Sequence, residues 1–138
     1  MSQERRRYII KTLKEPRKKG LEVDMEWVCR SLGFAGTRDK EKTAVRIFKL
    51  LLQAAKKGEG LTSDEIAEKI KPTRGAVVHH LNKFMRAGLI VKVSNDYELR
   101  MNCLKKTIEE IKLDAERAIM NIGRIAESID KELGLEER

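Results

Sequence analysis

Aromatic residues are scarce in this chain, at 4%, and cysteine, histidine and proline occur only twice each. The cysteines, Cys29 and Cys103, lie far apart, with no CxxC pair and no set of four or six. That excludes a disulfide framework and the usual zinc modules. The histidines, His79 and His80, are adjacent. On a helix, neighbours diverge by about 100°, so the pair cannot clamp one metal ion as an i,i+4 pair does. No cysteine or carboxylate stands at a matching offset, and no metal or other cofactor is expected. No nucleophile–base pair can be located either, so an enzyme is not expected. No apolar run approaches the ~18 residues of a membrane span. The start, MSQERRRYII, has no signal-peptide core. A cytoplasmic protein with reduced thiols is the expectation. The stretch GFAGTRDKEKT (Gly33–Thr43) lacks the GxxxxGK[ST] of a phosphate loop.

Charge, in contrast, is abundant. Asp, Glu, Lys and Arg make up 38% of the chain, against about 25% in an ordinary domain. The net charge is +8 and unevenly spread: +8 over residues 1–60, +2 over 61–101 and −2 over 102–138. Such a gradient suits an acidic polymer approached from the N-terminal side, which points to nucleic acid. The shortage of aromatics disfavours single-stranded RNA, whose bases stack on such rings.

Leu, Ile, Ala, Lys and Glu dominate and favour helices. QERRRYIIKTLKE (3–15) reads as a short basic helix closed by Pro16. DMEWVCRSL (24–32) reads as a second, with Asp24 as N-cap and Gly33 at its C-terminal end. Trp27 and Val28 are candidate core anchors. Over 39–57, Val45, Phe48, Leu51, Leu52 and Ala55 form one apolar stripe. LTSDEIAEKI (61–70) carries the sharpest local signal. Thr62 and Glu65 make a capping box, and Leu61 and Ile66 a hydrophobic staple. Pro72 ends that helix. The next starts at its N-cap Thr73 and runs to about Arg86, with Gly88 closing it. LIVKV (89–93), the turn SND (94–96) and YELR (97–100) predict a β-hairpin.

The last third reads as one long helix from Asn102 to Gly134. Leu104, Ile108, Ile111, Ala115, Ala118, Ile122, Ile125 and Ile129 recur at alternating steps of four and three. Such a heptad seam is expected to form a homodimer interface.

With Val77 facing inward, Leu81, Phe84 and Gly88 share its side, and His80 lies at the edge. Gly75, His79, Asn82 and Arg86 face outward. This is the arrangement of a recognition helix entering the major groove by its N-terminus. Arg74 can read guanine or clamp phosphate, and small Gly75 and Ala76 permit close approach. Thr73 begins the helix, where free N–H groups attract anions. Asn82 and Lys83 suit phosphate contacts.

On these residues, LTSDEIAEKIKPTRGAVVHHLNKFMRAGLIVKV (61–93) resembles the winged helix-turn-helix of ArsR-type regulators, of the kind found in archaea. The resemblance covers about Lys42–Arg100. It implies that Arg74, Ala76, Val78 and His79 lie at or near double-stranded DNA. Lys92, Ser94, Asn95 and Arg100 of the wing would reach the flanking backbone. Metal-sensing members carry cysteines in the helix just before the recognition helix, or His and carboxylate ligands in the terminal helix; here Thr62–Ile70 has no cysteine and Asn102–Arg138 no histidine.

The expected fold is therefore mainly α: a three-helix core, a β-hairpin wing and a long C-terminal dimerisation helix. The expected organisation is a basic helical extension (1–38), a winged helix-turn-helix (39–101) and a heptad helix (102–138). The expected function is sequence-specific transcription regulation by a homodimer. The alternative is a winged helix used for protein docking or as an architectural subunit. The sequence names no effector.

Overall fold

The computed structural model describes residues 6–36, 42–70 and 73–137. Five helices and one hairpin run through them. The helices are α1 (Leu21–Ser31), α2 (Thr43–Lys56), α3 (Ser63–Ile70), α4 (Arg74–Arg86) and α5 (Leu104–Leu133). The strands β1 (Ile90–Val93) and β2 (Asp96–Leu99) pair antiparallel, with Ile90 opposite Leu99 and Val93 opposite Asp96. This is a mainly helical winged helix-turn-helix with a long C-terminal helix.

Local chemistry sets most of the boundaries. At α3 the Thr62 N–H donates to Glu65 Oε1 and the Glu65 N–H donates to Thr62 Oγ1, both at 3.1 Å. This is the capping box the sequence predicts. At α4 the Ala76 N–H donates to Thr73 Oγ1 at 3.2 Å. Both α1 and α4 end in a left-handed glycine, Gly33 (φ 76°) and Gly88 (φ 81°). In each, the next residue's N–H reaches back across the last turn: Phe34 to Cys29 O (2.8 Å) and Leu89 to Phe84 O (3.0 Å). These are Schellman closures, which satisfy carbonyls the helix end leaves free.

The core is built on α2 and α4. Phe48, Leu51, Ile66, Val77, Leu81, Phe84 and Leu89 are essentially inaccessible. The Phe84 ring meets Phe34 edge-on at 4.7 Å and Phe48 at 6.5 Å. Full burial of one such side chain contributes about 1.5–3 kcal/mol. Helix α1 adds Met25 and Cys29 to this core, packing on α2. Leu61 forms a bridge with Tyr97, N–H to O both ways at 2.9 and 2.7 Å. The segment before α3 is thereby fastened to the wing.

Three expectations change. The helix predicted over 3–15 does not form in its described part: residues 6–15 run without regular structure, as an extended strap. Its main chain bonds elsewhere. The Arg7 N–H donates to Arg86 O (2.9 Å) and the Lys11 N–H to Ser31 O (2.8 Å). The Lys14 carbonyl accepts the Trp27 indole N–H at 2.7 Å. These tertiary bonds replace the i→i−4 ladder that local propensity favours. Asp24 is not an N-cap. Helix α1 starts three residues earlier, the Asp24 N–H already donates to Gly20 O (3.0 Å), and Glu22 and Asp24 lie in the first turn. There their charge complements the helix dipole. Finally, α2 begins at Thr43; residues 39–41 of the helix predicted from 39 lie outside the described residues, as does the break at 71–72.

The heptad stripe of α5 is divided. Ile111 is buried, and Leu104, Ile108, Ala115 and Ala118 are half-buried. Thr107 is fully buried and self-satisfied, donating to Cys103 O and accepting from the Met101 N–H. Beyond Ala118 every described residue is exposed. Ile122, Ile125 and Ile129 are 64%, 64% and 52% exposed.

Candidate nucleic-acid interface

The outward face of α4 is the candidate surface. Thr73, Arg74, Gly75, His79 and Asn82 are exposed, and Ala76, Val78, His80 and Lys83 are half-buried. Val77, Leu81 and Phe84 point into the core. The sequence thus assigned the two sides of this helix as the structure has them. The His79 and His80 rings meet edge-on at 5.6 Å. Among the described residues no group of three or more His, Cys, Asp or Glu is placed to hold a metal ion.

At the start of α4, Arg74 Nε pairs with Asp64 Oδ1 of α3 at 3.1 Å, both side chains about 70% exposed. An ion pair this exposed is worth about 0–1 kcal/mol. The guanidinium can leave it at little cost. A Cβ added to Gly75 meets nothing within 4 Å. The surface there is open and flat enough for a groove edge to approach. From behind, Arg46 Nη2 donates to the Ile70 carbonyl at 3.2 Å, satisfying the last turn of α3 with a cation, as the dipole favours.

The wing splits the remaining sequence-predicted residues. Ser94 (φ 57°) and Asn95 form the exposed two-residue tip. Lys92 is exposed and stands 5.4 Å from the Tyr97 ring, its cross-strand partner. A cation over a ring face is held without losing its charge. Arg100 departs from the expectation. Its side chain is 18% exposed and turned inward, bonded to Asp114 and 3.5 Å from the Gly88 carbonyl. It is a structural residue and is not on the surface with Lys92.

Sequence reasoning missed what the strap brings here. Arg6 Nη1 reaches Asp114 Oδ2 at 3.2 Å, beside Arg100 at 2.6 Å on the same oxygen. Arg117 takes the other oxygen at 3.3 Å. The Arg100 hydrogen bond holds the Asp114 carboxyl below its ordinary value, opposed by burial and helped by the other cations. Burial, then the charge of Asp114, pushes the Tyr8 hydroxyl up. The strap also lays Arg7 beside Lys83 and Arg86, and no local signal in the sequence places them together.

Helix-turn-helix, hairpin and exposed helix face together define a winged helix-turn-helix protein. Residues 41–92 match the family model described as "Bacterial regulatory protein, arsR family". The matched segment is an ArsR-like helix-turn-helix, the DNA-binding element of a transcription regulator. No curated protein and no solved structure matches the chain. No described helix is long and apolar enough to cross a membrane.

Proposed function

We propose that this protein is a cytoplasmic, homodimeric transcription regulator that reads a specific double-stranded DNA sequence and carries out no catalysis. The observation that carries this reading is the α4 face, built on the ArsR-like segment, with its cations outward and its core side closed. In this reading Thr73, Arg74, Gly75, Ala76, Val78 and His79 meet the major groove. Asn82 and Lys83 meet the backbone. Lys92, Ser94 and Asn95 reach the flanking strand, and Arg100 supports the wing from inside.

The far half of α5 supports the dimer. Ile122, Ile125 and Ile129 stand on one face, largely exposed. Covering such side chains contributes about 1 kcal/mol or more each. Most helical stability in proteins comes from packing an amphipathic face, and every described residue of α5 beyond Ala118 is exposed in the single chain. A second copy of the same seam supplies the cover, and two recognition helices then face half-sites about 34 Å apart.

The test is fluorescence anisotropy on the DNA upstream of the protein's own gene and on a shuffled control, at low and near-physiological salt. Specific regulation requires tight binding to the native fragment and about 10³-fold weaker binding to the shuffle. Equal binding that collapses as salt rises is the signature of a nonspecific basic surface, and would transfer the assignment to docking or architecture.

A further inference from the structure

The strap does more than cover the domain. Where it crosses the ends of α1 and α4 it leaves an open cleft of about 310 Å³. The floor is apolar, made by Ile9 of the strap with Leu32 and Phe34 from the end of α1. The rest of the lining, its rim, is cationic, with Arg7, Lys83 and Arg86 beside His79. Two contacts fix the strap here. The Arg7 N–H is bonded to Arg86 O, and the Ile9 side chain packs so closely on Gly33 that an added Cβ would lie 2.8 Å from it.

The rim is electrostatically incomplete. Arg6 and Arg74 have carboxylate partners, Asp114 and Asp64. Among the described residues, Arg7, Lys83 and Arg86 have none within ion-pair distance. Three like charges around one opening repel each other, and an anion between them removes that cost. A bare phosphate would satisfy the rim and leave Ile9, Leu32 and Phe34 wet. An anion with an apolar body satisfies both. The volume sits at the lower end of small-molecule pockets, about 300 Å³.

We propose that this cleft binds a small organic anion, an aromatic or short aliphatic carboxylate, and that the bound anion competes with DNA for Lys83 and His79. The competition rests on the DNA reading given above; the binding does not. Occupancy would link a metabolite's concentration to release of the recognition helix, with Arg7 as the residue that the strap supplies.

The probe is 2-naphthoate, titrated into the ¹⁵N-labelled full chain without DNA, with the neutral 2-naphthamide and inorganic phosphate as comparisons. Saturable amide shifts are expected at Arg7, Ile9, Phe34, Lys83 and Arg86. Naphthamide should bind about tenfold or more weakly, the effect of losing a charge-assisted contact. The Arg7→Ala and Arg86→Ala variants, both at exposed side chains, should weaken naphthoate alike while keeping the wild-type melting curve. Shifts confined to the apolar stripe of α5, equal binding of the amide, or equal binding of phosphate would each overturn the site. In a second arm, naphthoate should raise the apparent Kd for the upstream DNA. No change at saturating naphthoate would overturn the competition. Failure of the DNA to bind without naphthoate would instead sink the regulator reading, and the two failures are read in separate experiments.

Discussion

Arg100 Nη1 and Asp114 Oδ2 lie 2.6 Å apart, joining the end of the wing to the long helix. Both side chains are more than four-fifths buried. Arg6 adds the strap to the same carboxylate oxygen, and Arg100 also reaches the carbonyl of Gly88 at the end of α4. One carboxylate therefore ties together the strap, the recognition helix, the wing and α5.

Replacing Asp114 by Ala leaves Arg100 without its counter-ion in a largely buried position. The expected loss is about 2 kcal/mol, the scale of a charge-assisted hydrogen bond and of a partly buried charge left alone. Thermal unfolding at neutral pH measures it. An unchanged melting temperature would show that the pair is ornamental to the fold.

The same carboxylate sets an acid limit. Its folded pKa is lowered, chiefly by the Arg100 hydrogen bond. Its contribution is therefore complete above the ordinary aspartate value of about 3.9 and is lost as pH falls through the lowered folded value. Wild type should lose stability on acidification through that window. Asp114→Asn should start less stable at neutral pH and show a flatter acid limb in urea titrations across pH 2–6, a range spanning that ~3.9 reference.

Gly75 in the first turn of α4 and Gly88 just past its end should respond in opposite directions to alanine. A Cβ at Gly88 collides with the Arg6 guanidinium and demands a left-handed φ of 81° from a non-glycine residue. The expected cost is about 1–3 kcal/mol. Gly75 is helical and open, so Gly75→Ala should stabilise by up to about 1 kcal/mol. If α4 approaches the groove as proposed, that stabilised variant should nevertheless bind the operator more weakly. Paired melting and anisotropy measurements decide both.

Arg74→Ala and His79→Ala should each cost about 1–3 kcal/mol in operator binding, with sequence preference relaxed. Their oligomeric state should match wild type in sedimentation, because both lie far along the chain from α5. Preference that survives both substitutions would place the reading face elsewhere.

Ile122→Glu and Ile125→Glu attack the other half of the proposal. Both side chains are 64% exposed in the single chain, so neither should disturb the core. The double variant should sediment as a monomer and lose helical ellipticity from the far end of α5. A dimer that persists would assign assembly to a different surface.

What could be read from the sequence was what is decided within a few residues. The Thr62–Glu65 box, the closing glycines Gly33 and Gly88, the inward and outward sides of α4 and the long α5 all have local causes: a hydrogen bond three residues away, a positive φ, a 3.6-residue period. Residues 6–15 were misread for the complementary reason. Their helix-favouring composition loses to main-chain bonds that Lys11 makes with Ser31, twenty residues on, and Arg7 with Arg86, at the far end of α4. Arg100 was misplaced because its partner, Asp114, belongs to an element whose position no local pattern specifies. The heptad seam was legible as a pattern, yet its first half serves the domain's own core at Ile111.

That division of α5 has a mechanical consequence. The helix is 30 residues long, about 45 Å at 1.5 Å per residue, and everything past Ala118 stands clear of the domain. It is a lever with its fulcrum at Asp114. Inserting one residue beyond Ala118 would swing whatever grips the tip by about 100°, while seven residues would lengthen the reach by about 10 Å and nearly restore the phase. In the proposed dimer, the spacing and twist between the two reading heads would thus change in discrete steps, by edits at positions that are exposed in the single chain.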